Sequence, residues 1–231
     1  MNPAPKHFKG FSTELIDFFA GLEEDNSKEW FNTHKKEFEE YFMTPAENFV
    51  LELGSMLKTL SPGIIADPRK DRSIFRINRN LRFSRDKTPY KTHLAILFWE
   101  GGAKLESSGF YFHPDKNSLM LGAGIYKFTK PLLEKFRESV TDKKKGREFS
   151  KAVNQVLSKG SYPISGVHYK RIPAGYDSSH ENACYLLYDG LWTGMSSEIP
   201  KELYTVDLIE YCFKKYRDFL PVHEWLVRNL S

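Results

Sequence analysis

Between Leu94 and Tyr126 the chain runs through short apolar segments separated by turn signals. Leu94–Trp99 (LAILFW) has the length and character of a buried strand, and Gly101-Gly102 marks a turn after it. Gly109–His113 (GFYFH) supplies a second strand, Pro114-Asp115-Lys116-Asn117 has hairpin-turn composition, and Ser118–Tyr126 (SLMLGAGIY) returns as a third. A block of consecutive antiparallel hairpins therefore sits in the middle of the chain, and what flanks it decides the fold class.

Both flanks read as helical. Leu15, Phe18, Phe19 and Leu22 recur at helix spacing after a Ser12 or Thr13 start. A second helix is expected from Asn26, capped by that residue with Glu29 three positions on, its apolar face being Trp30, Phe31, His34, Phe38, Tyr41 and Phe42. Thr44-Pro45 with Glu47 signals a third start, carrying the stripe Phe49, Val50, Leu53, Leu57 and Leu60 to a stop at Ser61-Pro62-Gly63. Beyond the hairpins, helices are expected over Lys130–Thr141 and Arg147–Ser158, split by a polar hinge that holds Lys143-Lys144-Lys145. Gly160–Asp177 reads as ordered loop with a short strand at Val167–Arg171. A short helix over Ser179–Tyr188, a strand over Gly190–Met195 and helix over Pro200–Asn229 follow, the last broken at Leu220-Pro221. Helices, then strands, then helices, without βαβ alternation, predict an α+β fold: an N-terminal helical block, a central antiparallel sheet and C-terminal helices, in a single domain over residues 1–231.

Charge is concentrated where the first helices give way to the hairpins. In IFRINRNLRFSRDKTPYKTH (Ile74–His93) arginines fall at every third position, Arg76, Arg79, Arg82 and Arg85, interleaved with Phe75, Ile77, Leu81 and Phe83. Arg69–Lys91 holds nine Lys/Arg against two Asp, an excess of seven in a chain whose formal total is +4, so the remainder is net negative. Burying the apolar members, worth about 1.5–3 kcal/mol each, draws the guanidiniums towards the protein body. There they need carboxylates, carbonyls or a bound anion, and Arg in place of Lys favours planar bidentate partners. An internal ion-pair network, a ligand site and a solvated charged face all satisfy that demand.

Other features narrow the field. The N-terminal MNPAPKHFKGF has no apolar core of a secretory signal, and the longest apolar run is far too short to span a bilayer, so no membrane role is expected. Cys184 and Cys212 lack metal spacing and read as buried free thiols in a reducing cytoplasm. Seven histidines show no metal-binding spacing, so no metal is expected; His34 reads as a hydrogen-bonded boundary residue. Gly122-Ala123-Gly124 lies inside a strand and fails as a dinucleotide fingerprint; its glycines fit a bulge or a close backbone approach instead. No phosphate-binding Walker loop or serine nucleophile elbow is present.

Phe75–Thr92 (FRINRNLRFSRDKTPYKT) resembles the central signature of domain-of-unknown-function family 2461. Phe18, Phe19, Leu22, Asn26, Lys28, Trp30 and Phe31, the Gly-Phe-Tyr-x-His at 109–113, the Gly-Ala-Gly-x-Tyr at 122–126, and Arg171–Asp177 with His180 extend the resemblance over most of the chain. It implies a single α+β domain whose hallmark is the Arg-rich loop, and it carries no established activity. In the family pattern Arg79 is followed by Asp, whereas this chain has Asn80. That removes a carboxylate that would serve as a base or pair an arginine, while leaving a hydrogen-bonding side chain.

The functional expectation is a pocket for a phosphorylated or carboxylated small molecule, built from Arg76, Arg79, Arg82, Arg85, Lys87 and Lys91, with Tyr90 and Trp30 as walls and Asp86 orienting a guanidinium. If chemistry occurs there, Asp86, Tyr90 and His113 are the nearby acid–base groups. A nucleic-acid groove through residues 69–91 is the first alternative. A non-enzymatic scaffold locked by arginine ion pairs is the second. The sequence names no cofactor and leaves the oligomeric state open.

Overall fold

The computed structural model describes residues 7–82 and 84–230. Helices α1 (Thr13–Glu24), α2 (Lys28–Thr33), α3 (Lys35–Glu37) and α4 (Thr44–Leu57) form the N-terminal block. Strands β1 (Ile64–Ile65), β2 (Ile96–Glu100), β3 (Gly109–Pro114) and β4 (Ser118–Ile125) follow, then α5 (Lys130–Thr141) and α6 (Lys145–Leu157). Strand β5 (Ile164–Val167), strand β6 (Tyr188–Glu198) and α7 (Leu208–Leu230) complete the chain. The six strands form one antiparallel sheet in the order β1-β2-β3-β4-β6-β5, giving the expected α+β fold.

Register divides the sheet into two unlike faces. Pairing aligns Phe98, Phe110, Ala123 and Thr193 in one row, and Ile96, Phe112, Leu121 and Met195 in another. These rows meet α4 and α7, and Ile96, Phe98, Phe110, Phe112 and Leu121 are fully buried there with Phe49 and Tyr216. Residues one position away point to the opposite face. Its rows are Leu97, Tyr111, Gly122 and Gly194, and Trp99, Gly109, Gly124 and Trp192.

Five local expectations are corrected. Ser27, not Asn26, caps α2, its hydroxyl accepting from Trp30 N–H at 3.0 Å. The second and third helices do not break at Thr44. They are joined by a π-helical segment, Phe38–Met43, in which Thr44 N–H donates to the carbonyl five residues back, at Glu39. Pro45 brings no N–H to the turn that follows, and the wider turn takes up that mismatch. Pro221 likewise fails to end its helix: α7 runs through it for 23 residues. The loss of one intrahelical hydrogen bond is outweighed by burial of Phe219, Val222, Trp225 and Leu226 on either side, each worth about 1.5–3 kcal/mol. The strand expected at Val167–Arg171 lies earlier, at Ile164–Val167, and the helix expected over Ser179–Tyr188 is a single 3-10 turn, Ala183–Leu187.

Polar contacts hold α7 to the sheet: the Tyr216 hydroxyl donates to Tyr111 O at 3.0 Å, and His223 makes a polar staple. His223 is completely buried, its Nδ1 2.9 Å from Ser108 Oγ and its Nε2 3.4 Å from Glu100 Oε2, which also accepts from the Ser61 hydroxyl. The serine–histidine–carboxylate order resembles a nucleophilic triad, but Ser108 is 1 % exposed, so no substrate reaches it and the group is structural. The hydrogen bond from His223 holds the Glu100 carboxyl below its ordinary value, against the cost of burial. A depressed carboxylate stabilises the fold above the unfolded value near 4.5, and that contribution is lost as pH falls through the folded value. Glu100→Gln is therefore expected to cost about 1–3 kcal/mol in urea unfolding at neutral pH. The deficit should shrink in titrations taken below pH 4.5.

Candidate functional site

The Arg-rich stretch is a stitched excursion rather than a buried network. Its two limbs run side by side: Arg79 N–H donates to Pro89 O at 2.8 Å, Lys91 N–H to Ile77 O at 2.9 Å, and Asn78 bridges Tyr90. Ile74, Ile77 and Tyr90 are buried at its base, Leu81 is half-buried, and the expected burial of Phe83 falls outside the described residues. The base is clamped to the helices by Asn26, whose Oδ1 accepts from Tyr90 N–H at 2.8 Å and whose Nδ2 donates to Tyr90 O at 3.3 Å and Leu22 O at 2.8 Å. Phe31 stacks on the Tyr90 ring with centroids 4.3 Å apart.

The loop's own polar groups do the rest. Arg79 is half-buried and donates to Asp86 and to the Thr88 hydroxyl; Lys87 Nζ donates to Leu81 O at 3.0 Å and Lys91 Nζ to Arg76 O at 2.7 Å. Hydrogen bonds from Thr88 and from Arg79 pull the Asp86 carboxyl down to about 2. Asn80 accepts from Arg82 N–H at 3.2 Å, the local turn contact that an Asp would also make. Arg76, Arg82, Arg85 and Lys87 are exposed. Among the described residues, Arg79–Asp86 is the ion pair that Arg76, Arg79, Arg82 and Arg85 make, and no helix carboxylate closes on them. Trp30 is half-buried away from the loop tip, stacked on His34 at 3.8 Å and packed on Phe18.

Beside the base of this loop, the open face of the sheet carries a cavity of about 460 Å³. Its floor includes Tyr111, Gly122 and Gly124, and Phe75, Lys104 and Trp192 rise around it. Gly124, at φ +134°, approaches the next strand so closely that an added Cβ would lie 2.2 Å from Leu191 O. The glycine pair of the sequence thus serves backbone approach between strands and leaves the floor flat. Leu105 and Tyr126 stand at the mouth, 66 % and 82 % exposed, although both side chains have large apolar surfaces.

The polar groups of the cavity are few and shifted. Lys104 Nζ lies 3.5 Å from the Phe75 ring centroid and donates to Arg72 O; burial, with Lys91 and Arg72 nearby, brings it down to about 8 despite Asp71. Lys91 Nζ lies 5.6 Å from the same ring and is also lowered, by burial and by Arg76. The Tyr111 hydroxyl is 2.7 Å from His113 Nδ1 and is pushed up to about 12 by burial. His113 stacks on His93 with centroids 4.0 Å apart, and burial lowers both.

Of the residues expected from the sequence, His113 alone lines this cavity, and Lys91 borders it through Phe75. Lys104, Met120 and Trp192 had no motif to announce them, and Tyr111 was marked only as the Tyr of the Gly-Phe-Tyr-x-His segment. The signals available were the glycines of β4 and the lone Lys104 in a Gly-Gly-Ala-Lys turn. Among the described residues no group of three or more His, Cys, Asp or Glu is placed to hold a metal ion, and no helix is long and apolar enough to cross a membrane. Cys212 is buried as expected, its thiol raised by burial, but Cys184 is exposed: the 3-10 turn that replaces the expected helix turns it to solvent.

An α+β domain with a stitched basic excursion beside a glycine-floored sheet cavity defines the class. The chain belongs to the conserved hypothetical protein family DUF2461, whose model matches residues 14–225. A search of curated proteins finds no match.

The stacked histidines yield a pH prediction. His93 is brought down to about 4 by burial, then by His113, Lys91 and Arg79, with Asp115 opposing. Between that value and the ordinary 6.5 the unfolded chain binds the extra proton, so stability is present above 6.5 and falls as pH drops towards 4. Discounted for partial exposure, the loss is on the order of 2 kcal/mol. His93→Phe, which keeps a ring on His113, is expected to lose less stability than the parent between pH 7 and 4.5, measured as denaturant midpoints.

Proposed function

We propose that the protein binds a small anionic molecule, carboxylated or phosphorylated, whose body lies in the sheet cavity and whose acid group faces Lys104 and Lys91. The observation that carries this reading is the cavity's composition: aromatic walls, a flat glycine floor and a lysine amine, with no carboxylate side chain lining it among the described residues. An apolar recess with a few convergent polar groups is the usual form of a small-molecule site. Its one cation selects charge, and the rings of Phe75, Tyr111 and Trp192 select a molecule with a flat or apolar body.

The Arg-rich loop enters this reading as the approach to the site. Arg76, Arg82, Arg85 and Lys87 present positive charge to solvent at the loop whose base residue Phe75 forms a cavity wall. Such a field raises the encounter rate of anions and fades with salt. Arg79 and Asp86, tied to each other and to Thr88, hold the loop's shape, and Tyr90 anchors it. Trp30, stacked on His34, supports the helical side of that anchor. No reaction is assigned by this reading.

Thermal melting against phosphate, sugar phosphates, nucleotides and mono- and dicarboxylates, at ionic strength matched with chloride, tests it. A ligand at a hundred times its dissociation constant contributes about 2.7 kcal/mol, roughly 5–10 °C for a chain of this size. The expected outcome is a selective shift abolished in Lys104→Met. A shift surviving in that variant but lost in an Arg76/Arg82/Arg85→Gln triple variant would move the site onto the loop.

The exposure of those arginines also favours a second reading, a nucleic-acid contact through the loop tip. It predicts oligonucleotide affinity that falls steeply with salt, with a log–log slope that shrinks by about one unit for each arginine–phosphate contact removed. Binding that is flat between 50 and 200 mM salt, about the range over which such contacts weaken, eliminates it.

A further inference from the structure

Lys104 has surroundings that an ordinary surface lysine lacks. It stands in the residue 101–107 turn but reaches back over the Phe75 ring, with its amine donating to a backbone carbonyl and its stem against the cavity. No carboxylate is bonded to it among the described residues; Asp71 acts on it only through space, and Lys91 and Arg72 oppose its charge. A lysine desolvated on an apolar wall beside other cations is the arrangement that frees an amine for covalent chemistry. As a neutral amine it keeps an N–H for Arg72 O and a lone pair for a carbonyl carbon.

We propose that Lys104 forms a reversible imine with a small 2-oxo acid or aldehyde acid seated in the sheet cavity, Lys91 taking the carboxylate. The inference rests on the anionic-ligand reading above and gives it a substrate class. The lone pair of Lys104 Nζ forms the N–C bond as the C=O π bond breaks, and a proton from the amine passes to the oxygen. Loss of that hydroxyl as water, with the second amine proton, leaves C=N; no electrons are gained or lost overall. Lys91 holds one donor on Arg76 O and has two more for an acceptor, and it flanks the same ring as Lys104. The flat floor at Gly122 and Gly124 suits the planar sp² centre, and Leu97 and Met120, which also line the cavity, bound a short apolar substituent.

The test is reductive trapping. Full-length protein at pH 8 is incubated with glyoxylate or pyruvate and cyanoborohydride, and adducts are located by peptide mass mapping. Near pH 8, where Lys104 is half neutral, an ordinary lysine is neutral to less than one per cent, so labelling about a hundredfold above other lysines is expected at Lys104. Lys104→Arg should abolish this fast adduct. Lys91→Met should retain trapping of glycolaldehyde, which has no carboxylate, while losing about tenfold or more of the preference for glyoxylate, the scale of one lost charge-assisted contact. Glycolate, which has the acid but no carbonyl, reads the anion seat separately by thermal shift. A glycolate shift without enriched labelling at Lys104 overturns the imine and leaves the anion seat standing. Absence of both overturns both, and labelling spread evenly over the lysines overturns the imine whatever glycolate does.

Discussion

The fold depends on helices covering one face of the sheet and leaving the other open. An antiparallel sheet tolerates this because alternate residues serve alternate faces. Here the pairing register carries that alternation across β2, β3, β4 and β6. The row Phe98, Phe110, Ala123, Thr193 is packed under helix, while the neighbouring row Leu97, Tyr111, Gly122, Gly194 is not. Helix α7 enforces the asymmetry. Its buried face runs from Leu208 to Leu230, and the His223 staple to Ser108 and Glu100 fixes its position along the strands. Shifting one strand by one residue would place Phe110 or Phe112 in the cavity and Tyr111 against α7, so the packing that stabilises the core also sets which side chains line the open face.

Much of this was legible in the sequence. The β3–β4 hairpin could be read to within a residue because turn chemistry at Pro114–Asn117 and glycine-flanked apolar runs agree with each other. Helix α5 could be read equally well from its spacing, and α6 to within two residues. Proline misled at Pro45 and at Pro221, though not at Pro131 in the first turn of α5. Pro45 and Pro221 each forbid one hydrogen bond, a local cost, whereas the continuity of α4 and α7 is decided by tertiary burial that no local window contains. Asn26 misled differently: its side chain has the chemistry of a cap, but Ser27 sits beside it, and Asn26 instead satisfies both backbone polar groups of Tyr90, 64 residues away.

The site was legible in part, and the reason lies in what a charge pattern encodes. Arginine at every third position shows that positive charge gathers, not where the side chains point. In the structure the interleaved apolar residues take the base of the loop, while Arg76, Arg82 and Arg85 reach solvent. The groups facing the cavity come from separate segments: Leu97, the Tyr111–His113 pair, Met120, Gly122 and Gly124, and Trp192 are aligned by sheet register, and Phe75 and Lys104 reach it from loops. No spacing rule within one segment finds such a set.

Two placements of positive charge therefore have different physical meanings. An exposed guanidinium keeps its hydration and interacts with a passing anion through high dielectric, a long-range but weak attraction that salt removes. A half-buried amine has already lost much of its water, so its charge is costly when unpaired and strongly felt by whatever enters. Lys104 and Lys91 are of the second kind, both depressed by burial and both seated on Phe75. An anion arriving at that ring favours the charged form of both lysines; a carbonyl arriving there meets, at Lys104, an amine whose hold on its proton burial has weakened. On the proposed reading the Arg-rich loop and the cavity are one device in two parts, with Phe75 the residue they share: the loop's exposed cations would gather anions, and the desolvated lysines would act on what is gathered.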